Sequence, residues 1–137
     1  FGMAGLRLGF AIGPQEQISS LIERIGPWAV GTAALDIGKL ALSDEAWVKD
    51  HQNWLSQQAD HLSDLLARHE LKVIGGTSLF RCLRCDHAAA LQEHLGKNGV
   101  WVRAFSAYPD LLRFGLPGSA AAFSSLDQAL AKWHGKP

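Results

Sequence analysis

The sequence predicts an α/β fold in which a short sheet is packed by helices. From about residue 71 onward, brief β-like apolar runs alternate with helical periodicity in the order strand, strand, helix, strand, strand, helix. Ahead of them, residues 45–69 form the longest helical pattern. Trp47, Leu55, Ala59, Leu62 and Leu66 share an apolar stripe, and Lys49, Asp50, Gln52, Gln57, Asp60 and Asp64 form a polar face. With 47% hydrophobic and 19% charged residues, the composition is that of a folded domain rather than a disordered chain.

Taken in order, residues 5–13 read as a buried strand, because Leu6, Leu8, Phe10 and Ile12 alternate with small residues and one Arg before Gly13-Pro14 stops the run. Ile18, Leu21, Ile22 and Ile25 place a helix over 15–25, which Gly26-Pro27 ends. A small-residue helix follows over about 32–42, and Ser43 or Asp44 can cap the long helix. Leu71–Ile74 then reads as a strand, Gly75-Gly76 as a turn and Ser78–Arg84 as a second strand. Asp86 can cap a helix running to Lys97, and Val100–Arg103 and Leu111–Leu116 read as strands. Ser119 can cap a last helix with Phe123, Leu126, Leu130 and Trp133 on its face, ended by Gly135. The change of character near residues 25–45 suggests two parts, 1–42 and 43–137.

Thirteen basic residues balance thirteen acidic ones, and no basic stripe stands out, so nucleic acid is a poor candidate partner. No apolar run reaches the roughly 18–20 residues needed to span a bilayer, so a membrane is another. The chain opens Phe1-Gly2-Met3-Ala4-Gly5, with neither an initiator Met nor a signal-peptide n-region, and reads as a piece of a longer protein. Two cysteines make no disulfide framework, and a cytoplasmic setting is expected.

Three arginines are candidate site residues. Arg7 lies in an apolar run between Gly5 and Gly9, as an anchor for phosphate or carboxylate, or as an Arg paired with an internal Asp or placed at a sheet edge. Period-two alternation places Leu112, Phe114 and Leu116 on one strand face and Leu111, Arg113 and Gly115 on the other. Arg113 therefore either clamps a carboxylate in a cleft or lies on a solvated strand face. Arg103, at a strand end, could reach the same cleft or simply be solvated. The lone Cys82-x-x-Cys85 lacks a second ligand pair for zinc and reads as two buried structural cysteines on opposite faces. The six histidines make no H-x-x-x-H pair and read as solvated surface, and no metal site is expected. Ser19, Ser20, Ser124 and Ser125 have no nearby base.

The segment Phe1-Gly2-Met3-Ala4-Gly5-Leu6-Arg7-Leu8-Gly9-Phe10 resembles the stretch that follows the Schiff-base lysine in class I/II aminotransferases, a fold-type I pyridoxal-phosphate (PLP) family. Pro27-Trp28-Ala29-Val30 is similar to the family's interdomain hinge. Gly99-Val100-Trp101-Val102-Arg103 and Leu112-Arg113-Phe114-Gly115-Leu116-Pro117-Gly118 are similar to its two downstream arginine stretches. Thr77-Ser78-Leu79-Phe80 stands where the histidinol-phosphate aminotransferase branch usually has an Asn-Phe pair. That departure, with the Trp-Ala-Val and Leu-Arg-Phe-Gly-Leu-Pro forms, is closer to the branch of L-threonine-O-3-phosphate decarboxylase.

The resemblance implies a C-terminal small domain of a fold-type I PLP enzyme over 43–137, and over 1–42 a strand and helices left from the large PLP-binding domain and hinge. It implies that Arg7 holds the cofactor phosphate and that Arg103 and Arg113 hold the anionic groups of a small phosphorylated amino-acid substrate. It also implies a homodimeric parent, decarboxylating L-threonine O-3-phosphate in cobalamin biosynthesis or acting as a histidinol-phosphate-type aminotransferase. The catalytic lysine is expected just before Phe1. Lys39, in the small-residue helix, is the only lysine near the hinge, and without the Schiff-base lysine a non-catalytic domain is the alternative for the chain by itself.

Overall fold

The computed structural model describes residues 1–135, so the last two residues of the expected 43–137 part lie outside the described residues. Over the described residues the chain is α/β, with a four-stranded antiparallel sheet and five α-helices. It divides into two compact units, Phe1–Lys49 and Asp50–Pro137.

The first unit is helical. After a 3₁₀ turn at Ala4–Leu6 come α1 (Gln15–Ile25), α2 (Thr32–Ser43) and the start of α3 (Glu45–Arg68). Gly26, at φ +80°, ends α1 and donates its N–H to the Ile22 carbonyl. The Asp44 carboxylate accepts the Trp47 N–H at 3.0 Å, capping α3 as the sequence suggested. Phe1 stacks on Trp47 with ring centroids 4.9 Å apart. The strand expected over 5–13 is not formed. No other described residue of this unit is in a strand, so an extended segment there has no ladder to join, and most of it is exposed.

The second unit holds the sheet. β1 (Val73–Thr77) and β2 (Phe80–Arg84) form a hairpin, and β3 (Arg103–Phe105) and β4 (Tyr108–Gly115) form another. The strand order is β1-β2-β4-β3, so β2 and β4 are the inner strands and each pairs on both sides. Between the hairpins runs α4 (Ala88–Lys97), and α5 (Ala120–Ala131) closes the chain. Leu62, Leu65 and Leu66 of α3 meet Leu83, Leu91, Leu95, Leu112, Phe114 and Phe123 in one core. Ser119 caps α5 by accepting the Ala122 N–H at 3.1 Å, as expected. No described helix is long and apolar enough to cross a membrane.

Several local expectations change. The turn of the first hairpin is Ser78-Leu79, not Gly75-Gly76, because those glycines pair with Cys82 and Arg81 within β1. Gly76 sits at φ +155°, and a Cβ there would lie 2.3 Å from the Phe80 carbonyl oxygen. Glycine is thus what lets the two strands approach. Asp86 does not cap α4. The N-cap is His87, with no side-chain cap bond. Val100–Val102 lead into β3 instead of forming it, and α5 ends at Ala131, short of Gly135.

His61, His87 and His134 are exposed as expected, whereas His69 and His94 are half-buried. His69 donates from Nε2 to the Asp127 carboxylate at 2.7 Å, and His94 donates from Nε2 to the Ala129 carbonyl at 2.8 Å. These bonds tie α3 and α4 to α5, while His61 stacks on Phe123. Helix packing turns the His69 and His94 rings toward α5, although their sequence neighbours are polar.

Two outcomes follow. Gly76→Ala should cost about 1–3 kcal/mol in a urea titration. Gly75→Ala, where an added Cβ meets nothing within 4 Å, should cost far less. The His69 hydrogen bond, with the Arg68 guanidinium nearby, holds the Asp127 carboxyl below its ordinary range. A depressed carboxyl contributes stability that is fully present above the unfolded value of about 3.9 and is lost as pH falls through the folded value. Asp127→Asn should therefore lower the unfolding free energy from a urea titration at pH 6, by no more than about 1 kcal/mol for so exposed a pair. That deficit should close as the pH falls below about 4.

Candidate functional site

The site begins with the alternation of β4. Leu112 and Phe114 are 0% and 1% exposed and belong to the core. Arg113 and Gly115 consequently face the other side of the sheet. The Cα of Arg103 on β3 is the register partner of Arg113, so both side chains leave the same face, about 5 Å apart at their Cα atoms. A cleft of about 480 Å³ opens there, lined by Gln92, Trp101, Val102, Arg103, Ala104, Arg113 and Gly115.

The cleft walls are fixed from the core side. Val102 is buried, and Gln92 of α4 donates its side-chain amide to the Val102 carbonyl at 3.1 Å, which holds the segment entering β3. Trp101, 84% exposed, forms the rim. Gly115 adds no side chain, and a Cβ there would meet nothing within 4 Å.

Among the described residues, neither arginine of the cleft forms an ion pair. The other arginines of this unit are engaged: Arg81 with Asp60 and Ser63, Arg84 with Asp110, and Arg68 with Asp127. The free guanidiniums instead lie over aromatic rings. The Arg113 Cζ is 5.3 Å from the centroid of Phe80, and the Arg103 Cζ is 5.5 Å from that of Phe105. Two like charges at directly opposed strand positions repel each other. A doubly charged or bidentate oxyanion between them would remove that repulsion and satisfy their forked donors.

Arg7 belongs to the first unit and differs from expectation. It is not in a strand but follows the 3₁₀ turn in a left-handed conformation, φ +54° and ψ +28°, with its side chain exposed. Its guanidinium makes one long hydrogen bond, to the Ala4 carbonyl at 3.5 Å, and no ion pair among the described residues. Added Cβ atoms at Gly5 and Gly9 would meet nothing within 4 Å, so the backbone on both sides is open to a bulky group. A phosphate monoester suits such an uncommitted fork of donors.

Cys85 is buried, whereas Cys82 is only half-buried and is the register partner of Arg113. The core position is taken by its neighbour Leu83, so alternation turns Cys82 outward. Gln92 carried no sequence signal for this cleft, since only the packing of α4 brings it there.

The aminotransferase class I and II family matches the chain over residues 1–134. A threonine-phosphate decarboxylase of Pseudomonas aeruginosa is 38% identical over 130 residues, covering 95% of this chain and 39% of that protein. Another, from Sinorhizobium, is 36% identical over 132 residues, covering 96% of this chain and 39% of that protein. A histidinol-phosphate aminotransferase of Thiobacillus denitrificans is 31% identical over 141 residues, covering 99% of this chain and 37% of that protein. The chain thus spans about two fifths of the length of the curated relatives it matches. A solved structure from Burkholderia pseudomallei, provisionally assigned as an aminotransferase, superposes with a TM-score of 0.81 at 24% identity, covering 96% of this chain and 41% of its own. That likeness is one of fold.

The two faces of β4 predict opposite responses to truncation. Leu112→Ala should cost about 2–5 kcal/mol in chemical denaturation. Arg113→Ala and Arg103→Ala should each change stability by less than about 1 kcal/mol, because each also relieves a like-charge contact.

Proposed function

The chain belongs to the class I and II aminotransferase family, and from that premise we propose that it is part of a PLP-dependent enzyme that decarboxylates L-threonine O-3-phosphate. The observation that carries the proposal is the pairing of Arg103 with Arg113 in one cleft without a carboxylate. The two decarboxylase relatives at 38% and 36% identity support this branch over the aminotransferase at 31%. On this reading residues 1–42 belong with the large domain and residues 43–137 form the small domain. The whole protein would be a cytoplasmic homodimer serving cobalamin biosynthesis.

Each residue has a task in this proposal. The exposed, acid-free guanidinium of Arg7 would hold the cofactor phosphate. PLP, when bound, supplies the electron sink for breaking a bond at the substrate's α-carbon. Arg103 and Arg113 neutralise the substrate's anionic groups and fix its orientation, so that the bond to be broken is presented in one geometry. Gln92, by holding Val102, keeps Arg103 on the cleft wall. Loss of the carboxylate as carbon dioxide leaves the α-carbon to take up a proton, giving aminopropanol phosphate.

The full-length protein with PLP and O-phospho-L-threonine should release carbon dioxide and aminopropanol phosphate in equal amounts with no keto acid added. A requirement for 2-oxoglutarate, with glutamate as product, would replace this reading with a histidinol-phosphate-type aminotransferase. Turnover of neither substrate would leave a non-catalytic domain. Arg113→Ala should raise KM by about tenfold or more, since a charge-assisted hydrogen bond contributes about 1.5–3 kcal/mol.

A further inference from the structure

We infer that Phe80 and Phe105 are positioning residues, aromatic platforms that aim the two cleft guanidiniums at an anionic ligand without neutralising them. The inference rests on the anion-binding role proposed above for Arg103 and Arg113.

The geometry comes from strand register. The Cα of Phe80 on β2 is the partner of Gly115 on β4, so Phe80 emerges on the face that carries Arg113, two residues away. Gly115 leaves the space beside that ring open, and the Arg113 Cζ comes to 5.3 Å from its centroid. On β3 the pairing is irregular between Ala104 and Phe105, and the Phe105 ring lies 5.5 Å from the Arg103 Cζ. Both distances fall within the roughly 6 Å over which a ring's quadrupole attracts a cation. The two guanidiniums thus use the same solution, each with its own ring on the neighbouring or the same strand.

Charge explains why the partners are rings. A carboxylate at 80 or 105 would hold each arginine more firmly, but the ligand would then have to displace it. A ring restrains the guanidinium from its face and leaves the forked N–H donors free at the edge. It also limits the rotamers that two long side chains would otherwise lose on binding.

The test separates ring electronics from ring shape. In the full-length protein with PLP, Phe80 and Phe105 are replaced one at a time by mono-, di- and trifluorophenylalanine. These rings keep nearly the same shape while the face becomes steadily less negative. The substrate is O-phospho-L-threonine, or L-histidinol phosphate with 2-oxoglutarate if the keto acid proves necessary. Log KM should rise with each fluorine, reaching about two- to fivefold for the trifluoro ring, with kcat and the thermal midpoint nearly unchanged. Phe80→Trp should leave KM at or below the parent value, because indole is the stronger platform. A flat KM series overturns the inference and reduces both rings to packing. Arg103→Ala and Arg113→Ala distinguish the two levels of failure. If they raise KM while the fluorine series is flat, only the platforms are refuted. If they leave KM unchanged, the anion-binding reading falls and the inference falls with it.

Discussion

Burying Leu112 and Phe114 in one strand obliges Arg113 and Gly115 to face the other way. Because β4 is an inner strand, pairing with β2 on one side and β3 on the other, that alternation sets what its neighbours present beside it. A slip of one residue would bring the Arg113 charge into the core among Leu83, Leu91 and Leu95, at a cost of several kcal/mol, and expose two large apolar side chains. Register is therefore fixed by the hydrophobic face. The charged face inherits its geometry from a constraint in which it takes no part. Arg103 is drawn in the same way, since buried Val102 precedes it and buried Leu112 sits opposite Ala104.

Where the determinants were local, the sequence was readable. Helical periodicity located α1, α2 and α3 to within a residue or two, and Ser119 and Asp44 cap the helices they were expected to cap. The alternation of residues 111–116 placed Arg113 on the face away from the core. What was missed depends on partners distant in the chain. Residues 5–13 have the alternation of a strand, but a strand exists only with a neighbour to bond to, and none is present in their unit among the described residues. Gly75 and Gly76 look like a turn, yet the close approach of β2 places them in a ladder. His69 and His94 look solvated until α5 is packed against them. Phe80 faces Gly115 only through a register that no single stretch of sequence encodes.

The two guanidiniums of the cleft also illustrate how folding and recognition can be assigned to different atoms. The remaining arginines of the second unit are tied to acids and help hold elements together: Arg81 links the β1–β2 hairpin to α3 through Ser63 and Asp60, and Arg84 crosses to Asp110 beside it. Arg103 and Arg113 hold nothing together in that sense. Their charge is left unbalanced by the fold, which places a local excess of positive potential at the mouth of a shallow concavity.

Gly115 gives this division a practical side. A glycine inside a strand weakens the sheet by roughly 0.5–1 kcal/mol, and a Cβ here would touch nothing within 4 Å, so selection for hardiness alone would favour a β-branched residue in its place. On the reading proposed for the cleft, whose wall Gly115 helps to form, the same methyl groups would narrow its mouth. Thermostabilising redesign and substrate access therefore pull in opposite directions at this one position. An engineer who filled it would gain a sturdier protein with a smaller appetite.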